Sequence, residues 1–164
     1  MFKLNHKSRD IETQEGVRLE DDTIVEKPET KVHDIITWHF DLRSGRSIKG
    51  INILNAIYSV GDINIPVAYE IIDKPIQYCD IKTRKVKRIS LVTKNNLRVQ
   101  MLKTSKQNNE RNSYVLTDRW YASVKNRHSI KHTFEKDFIM AMKSNRLVAL
   151  SLQDKHQGGE VRIE

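Results

Sequence analysis

The sequence predicts an α/β (α+β) protein built on one mixed sheet, in which a three-stranded antiparallel meander precedes a strand–helix–strand unit, with helices on the faces. Three observations predict it. Residues 48–60 carry apolar side chains on both parities, as strands covered on both faces do. A tight turn at Gly61 joins them to residues 63–71, whose apolar residues alternate. A short apolar run at residues 114–116 then ends near Asp118, before a helix-compatible segment.

Length and composition indicate one domain. The 164 residues suit a single domain that can bury a core. No apolar run approaches the roughly 20 residues needed to span a bilayer, and no secretory signal is visible. The single cysteine, Cys79, fits a reducing compartment. We therefore expect a cytoplasmic protein that does not enter a membrane.

The domain is expected to occupy only part of the chain. Residues 1–16 are polar and charged without a clear period, which predicts a poorly ordered lead-in. Residues 17–152 contain the predicted strands and helices and form the domain. Residues 153–164 lose all periodicity, and we expect them to be a truncated tail.

The first predicted strand, residues 17–25, contains three consecutive acids. Glu20, Asp21 and Asp22 would be costly in mid-strand without a counter-ion or a metal, because buried carboxylates must be paired. Asp21 and Asp22 should point to opposite faces, since side chains alternate along a strand.

Two further segments belong to the same half of the chain. Residues 35–40 form a short apolar run, in which His39 is expected to pack or hydrogen-bond, because no second histidine stands at a metal-binding spacing. Pro66 lies within residues 63–71 and cannot donate to a ladder, which predicts that this strand lies at a sheet edge.

The positive charge is concentrated in one segment, residues 82–109. It holds nine of the 29 basic residues and no acid, which leaves 20 basic against 21 acidic residues elsewhere. Such a concentration is typical of proteins that bind a polyanion, although a solvated basic surface is the alternative. The residues predicted to bind nucleic acid are Lys82, Arg84, Lys85, Lys87, Arg88, Lys94 and Arg98.

Helical segments follow the basic cluster and the fourth strand. Thr93 is a preferred N-cap for a helix over about residues 94–103, with Leu97 and Met101 one turn apart on its inner face. Residues 121–131 form a second plausible helix with Tyr121 and Val124 inward. Residues 137–142 are a further short strand, which residues 146–152 are expected to extend.

Asp118 has two interpretations. It could cap the helix that follows, since Asp is a preferred N-cap. It could also be a carboxylate at the mouth of the sheet, where open α/β sheets place their ligands. The predicted element order is that of an RNase H-like fold, in which the first strand lies beside the fourth. Asp22 and Asp118 would then meet, and two carboxylates suit a pair of Mg²⁺ or Mn²⁺ ions for phosphoryl transfer.

Several blocks resemble a bacterial insertion-sequence transposase of the DDE type. They are LEDDTIVEKP, WHFDLRSGRSIKGINILN, IPVAYEIIDKPIQYCDIKTRKVKR, VTKN, YVLTDRWYAS and IMAMKSNRLVALS, and they run from about Val17 to Ser151. The resemblance implies an RNase H-like catalytic core whose two aspartates and one glutamate hold divalent metal and cut double-stranded DNA at transposon ends. Asp22, directly before Thr23, matches the first aspartate, and Asp118 matches the second; Asp21 is the remaining ambiguity. A homodimer of the intact protein stays open.

The glutamate of the family has no match in this sequence. In the family it lies after a further insertion, in a helical motif, whereas Glu160 and Glu164 lie in the featureless tail. The resemblance therefore implies a transposase fragment that binds DNA and metal but is inactive alone. Two alternatives stay open: a stand-alone RNase H-like nuclease that uses Glu70 or Asp137 as its third carboxylate, and a basic nucleic-acid-binding module without chemistry.

Overall fold

The computed structural model describes residues 16–162 as a mixed α/β structure, so the predicted lead-in lies outside the described residues except for Gly16. The strands are β1 (Val17–Glu26), β2 (Thr37–Asp41), β3 (Arg46–Val60), β4 (Ile63–Ile71), β5 (Ile76–Asp80), β6 (Lys85–Ile89), β7 (Tyr114–Thr117), β8 (Asp137–Met140), β9 (Leu147–Val148) and β10 (Val161–Arg162). The helices are α1 (Lys94–Gln107), α2 (Val124–His128) and α3 (Leu152–Gln157), with a π-helical turn at Ser129–Thr133 after α2. No helix in this part of the chain is long and apolar enough to cross a membrane.

The main sheet has six strands, and β1 lies at its centre. Strand β3 pairs antiparallel with β1 along one edge and with β2 and β4 along the other. On its other side β1 pairs parallel with β7, and β7 pairs parallel with β8. The order is therefore β4–β3–β1–β7–β8, and β2 shares the edge of β3 with β4. The prediction of a mixed sheet is confirmed, and the first predicted strand does lie beside the strand that ends before Asp118.

The outer strand β4 carries the features that its sequence predicts. Gly61 makes the turn from β3 with a φ of 55°, a conformation that glycine adopts at no steric cost. The register between β3 and β4 shifts at Ala56 and Ile57, which pair with Ala68 and Pro66, so Val67 is the extra residue of a bulge. Pro66 thus lies at a bulge in a strand with one free edge, as proline requires.

One face of the sheet carries the core, and α1 covers it. Thr93 caps α1 by accepting a hydrogen bond from the Asn96 N–H at 3.2 Å, as predicted. Met101 of α1 and Leu54 of β3 both belong to the first apolar cluster. The second cluster joins α1 to the end of the sheet through Leu102, Val115, Ile130 and Phe134.

Helices are expected on the faces of the sheet, and α1 and the π-helical turn pack on the face that carries the core. Two other predictions about the helices and the tail are wrong. Tyr121 is buried, yet Val124 is 69% exposed, because the second helix begins only at Val124. The segment expected to extend β8 instead pairs β9 with β10, and α3 lies in the predicted featureless tail.

A buried ion network joins β1 to α1. Arg18 and Arg98 donate to the two oxygens of Glu20 at 2.8 and 2.6 Å, and Arg18 also pairs with Glu110 at 2.6 Å. All four side chains are at most 5% exposed. Burial lowers the pKa of Arg18, but the charges of Glu20 and Glu110 more than offset it, so the pKa is raised. Glu20 therefore has the counter-ions that its place in mid-strand requires.

Arg98 must be removed from the predicted nucleic-acid-binding residues. Its side chain is 1% exposed, and its guanidinium group is bound to Glu20 beneath α1. A phosphate group cannot reach it in this structure. The basic spacing in the sequence did not reveal this pairing because Glu20 lies 78 residues earlier in the chain.

Replacing Arg98 with methionine should strongly destabilise the fold. The network holds two cations and two anions, so Arg98→Met leaves one uncompensated negative charge in the core. Removing one partner of a buried pair costs about 3–5 kcal/mol. Urea unfolding should therefore give a free energy of unfolding lower by about that amount. The double variant Arg98→Met/Glu20→Gln restores the charge balance and should lose less than Arg98→Met alone.

Arg46→Met is the matched control for this experiment. Arg46 pairs with Glu26 at 3.0 Å, but both side chains are at least half exposed. Exposed ion pairs contribute at most about 1 kcal/mol, so this variant should stay close to the unmodified protein. Equal losses for Arg98→Met and Arg46→Met would contradict a structural role for the buried network.

Candidate carboxylate site beside β1 and β7

Two carboxylates directly follow the last paired residues of two adjacent parallel strands. The register of β1 with β7 runs from Val17 opposite Tyr114 to Glu20 opposite Thr117. The next residue on each chain segment is an aspartate, Asp21 after Glu20 and Asp118 after Thr117. Parallel neighbours in register point to the same face, so the pairing brings Asp21 and Asp118 together at one end of β7.

Asp22 lies on the opposite face of β1, under the first turn of α1. Its Oδ2 atom contacts the Lys94 ammonium group and accepts a hydrogen bond from Asn52 Nδ2 at 3.1 Å. Its Oδ1 atom accepts a hydrogen bond from the Tyr121 hydroxyl at 3.0 Å. Both oxygens of Asp22 are thus engaged by groups of this chain, and its charge is compensated by Lys94.

Asp21 is electrostatically coupled to Asp118. Burial raises the pKa of Asp21, the Asp22 backbone N–H opposes this rise by donating to Asp21 at 2.8 Å, and the negative charge of Asp118 raises the pKa further. The sequence predicts that Asp22, rather than Asp21, is the aspartate that meets Asp118. The structure divides the two aspartates: the charge of Asp118 acts on Asp21, whereas Asp22 is bound to Lys94 and to the Tyr121 hydroxyl, on which the charge of Asp118 also acts. Sharing of a cation by Asp22 and Asp118 stays a prediction.

Asp118 does not cap the following helix. Its Oδ1 atom accepts a hydrogen bond from the Trp120 backbone N–H at 2.9 Å, which closes a local turn. The N-cap of α2 is Ser123, whose hydroxyl accepts from the Asn126 N–H at 3.1 Å. The Asp118 carboxylate directly follows β7 and serves this turn rather than a helix.

Sequence reasoning missed Tyr121 as part of this site. The residue was assigned to the core, and its ring is indeed fully buried. Burial raises the pKa of its hydroxyl, and the adjacent charge of Asp22 raises it further, so the group remains a hydrogen-bond donor. The Arg98 guanidinium carbon lies 5.7 Å from the ring centroid. The position of Tyr121, three residues after Asp118, was the only signal in the sequence.

The donor chemistry fits a hard divalent cation, although the ligand set is small. Mg²⁺ binds through one or two carboxylates and keeps several waters, so Asp118 with one aspartate of β1 would suffice to hold it. Within residues 16–162, no group of three or more His, Cys, Asp or Glu side chains has a geometry that could hold a metal ion. The Lys94 ammonium group contacts the Oδ2 atom of Asp22 and compensates its charge.

The candidates for a third carboxylate differ in their position relative to this end of the sheet. Asp137 begins β8 opposite Tyr114, at the other end of β7, and pairs with Lys131. Glu70 of β4 lies level with Asp22 of β1, and Leu54 of β3, which pairs with both, separates them. Glu160 is exposed beyond α3, and Glu164 lies outside the described residues.

The predicted nucleic-acid-binding residues fall into two groups in space. Lys82, Arg84 and Lys85 are exposed around the turn between β5 and β6, and no ion pair involves them among the described residues. The other four pair with acids: Lys87 with an acid of the neighbouring strand, and the remaining three with acids 54 to 78 residues away in the chain. These pairs are Lys87 with Asp80, Arg88 with Asp34, Lys94 with Asp22, and Arg98 with Glu20.

His39 of β2 is buried where the charges of Lys74, Lys94 and Asp22 act on it. Its side chain packs as predicted, with 5% of the residue exposed. Burial, followed by the positive charges of Lys74 and Lys94, lowers its pKa to about 4. The imidazole is therefore neutral at pH 7.

Comparison of the chain with protein-family models, with curated proteins and with solved structures found no match. The geometry described above therefore carries the functional argument.

The pKa of His39 predicts a loss of stability in mild acid. The unfolded chain takes up a proton at His39 below about pH 6.5, whereas the folded chain does so only near pH 4, so stability falls as the pH decreases between these values. This difference amounts to about 2 kcal/mol between pH 7 and pH 5. Urea unfolding at the two pH values measures how far the free energy of unfolding decreases from pH 7 to pH 5. This decrease should be smaller in His39→Gln than in the unmodified protein, by about the same amount.

His156→Gln is the control for this measurement because His156 is exposed on α3. It should retain the full acid-dependent decrease in the free energy of unfolding. If His39→Gln and His156→Gln lose stability equally between pH 7 and pH 5, His39 is not the buried neutral group described here.

Proposed function

We propose that this chain is the catalytic core region of a DDE-type transposase, an RNase H-like domain that binds double-stranded DNA and divalent metal for phosphoryl transfer at transposon ends. The observation that carries the proposal is the parallel pairing of β1 with β7, which brings Asp21 and Asp118 to one end of the sheet with Asp22 beside them. The order β4–β3–β1–β7–β8 supports it, since the resemblance implies a first strand beside the fourth.

Asp118 and one aspartate of β1 are the proposed ligands of Mg²⁺ or Mn²⁺. Such ions, when bound, stabilise the attacking and leaving oxygens of an in-line displacement at phosphorus. The residues of the chain orient the carboxylates: Tyr121 and Asn52 each donate to Asp22, and Lys94 neutralises it while no other cation is there. Exposed cations between β5 and β6 would hold phosphates of the DNA backbone.

The proposal also covers partners and compartment. The partner is duplex DNA bearing a transposon end, and the compartment is the cytoplasm, where a bacterial chromosome is accessible. A second copy of the chain would be the partner in the intact family. A membrane plays no part in this function.

Divalent-metal binding should depend on Asp118. Isothermal titration with Mn²⁺ should detect binding that Asp118→Asn weakens by at least about tenfold, because ligand removal should cost at least as much as loss of an outer-shell group. Asp21→Asn and Asp22→Asn, compared side by side, should identify the second ligand by the larger loss. Asp62→Asn, in the exposed turn after β3, is the matched control and should bind normally. If no variant differs from the unmodified protein, the metal site is refuted and the basic-module alternative is favoured.

The chain alone is expected to bind DNA without cutting it. The described residues bring two candidate carboxylates to the metal site, whereas the resemblance implies three, and a misplaced catalytic group costs on the order of a hundredfold in rate per ångström. Supercoiled plasmid with Mg²⁺ or Mn²⁺ should therefore remain intact. Nicking that disappears in both Asp118→Asn and Glu70→Gln would contradict this expectation and identify a stand-alone nuclease instead.

A further inference from the structure

Strands β5 and β6 form a ribbon that is separate from the main sheet. They pair antiparallel from Ile76 opposite Ile89 to Asp80 opposite Lys85, and neither pairs with a strand of the main sheet. A two-stranded ribbon is only marginally stable by itself, so it needs an anchor. Arg88 provides one, because its guanidinium group donates to Asp34 at 2.6 Å and to the Lys74 carbonyl at 3.2 Å.

The turn at the tip of the ribbon is held in one conformation. The Oδ1 atom of Asp80 accepts hydrogen bonds from the backbone N–H groups of Lys82 and Thr83, both at 3.0 Å. Its Oδ2 atom contacts the Lys87 ammonium group. The hydrogen bond from Lys87, followed by that from the Thr83 backbone N–H, lowers the pKa of Asp80 to about 2. Both carboxylate oxygens of Asp80, the only acid of the ribbon, are therefore engaged by groups of the ribbon itself.

The two faces of the ribbon differ in their surroundings. Gln77 and Arg88 lie opposite each other on the face that is anchored to the body of the protein. Tyr78 and Lys87 lie opposite each other on the other face, where the Tyr78 residue is 40% exposed. At the tip, the side chains of Lys82, Arg84 and Lys85 are exposed. The free face and the tip thus combine an aromatic ring with several cations.

We propose that this ribbon binds in the major groove of duplex DNA, with its tip cations on the flanking phosphates. The inference rests on the proposed function and names the element that holds its substrate. The major groove, about 12 Å wide, admits a two-stranded ribbon. Residues 76–89 contain five basic residues and one acid, and that acid is neutralised by Lys87, so the complementary partner is a polyanion. Arg88 and Arg98 are anchors of the fold rather than DNA contacts.

The ribbon should dominate the salt dependence of DNA binding. Fluorescence anisotropy with a labelled 20-base-pair duplex in EDTA should show a flatter slope of log K against log salt for Lys82→Ala/Arg84→Ala/Lys85→Ala, by about 0.9 per lost phosphate contact. The control is Lys103→Ala/Lys125→Ala/Lys155→Ala, which removes the same charge from exposed sites outside the ribbon. The control should nearly keep the original slope; equal flattening in both would overturn the proposal.

Asp80→Ala separates the geometry of the ribbon from its charge. This substitution makes the protein more positive, so a merely basic surface would bind DNA more tightly. It also removes the acceptor that shapes the turn, so a preorganised ribbon predicts weaker binding. Tighter binding by Asp80→Ala would contradict the proposal.

Two further readouts distinguish groove binding from binding to any double helix and from self-association of the protein. A duplex RNA of the same sequence should bind more weakly, because its major groove is too narrow to admit the ribbon; equal affinity would contradict groove binding. Size-exclusion chromatography should give one oligomeric state for all variants, and a change confined to the tip variant would make the ribbon a protein interface instead. Because EDTA removes divalent metal, these outcomes do not depend on the metal site of the proposed function.

Discussion

The pairing of β1 with α1 through buried charges is the constraint on which the candidate site depends. Glu20 and Asp22 lie two residues apart on β1, which separates them by about 6.6 Å on one face. Arg98 and Lys94 lie four residues apart on α1, which separates them by about 6 Å on one face. The two periods coincide, so Arg98 meets Glu20 and Lys94 meets Asp22. Because buried charges tolerate little misalignment, the pairing at Glu20 also fixes the position of α1 above Asp22.

The alternation of β1 divides its three acids among three roles. Glu20 belongs to the neutral buried network, Asp22 lies under α1 with Lys94 and Tyr121, and Asp21 points to the opposite face. The charge of Asp118 raises the pKa of Asp21 on this face and also that of the Tyr121 hydroxyl beside Asp22. Three consecutive acids of one strand thus serve different purposes: Glu20 anchors α1, whereas Asp21 and Asp22 belong to the candidate site.

Local patterns predicted the parts of the fold that depend on neighbouring residues. The start of α1 at Thr93, the turn at Gly61 and the edge position marked by Pro66 each follow from the conformational limits of one residue. The ion-pair partners of the basic residues could not be predicted in this way. Arg98 and Lys94 find their acids 78 and 72 residues earlier in the chain. Their pairing with these acids is visible only once the sheet is assembled.

The most direct test of the central claim is anomalous scattering from crystals soaked in Mn²⁺. We expect a peak about 2 Å from a carboxylate oxygen of Asp118 and about 2 Å from one of Asp21 or Asp22. If the second ligand is Asp22, the Lys94 ammonium group should have moved away from it. The absence of a peak at this end of the sheet at saturating Mn²⁺, with Lys94 still bound to Asp22, would contradict the claim that these carboxylates form a metal site.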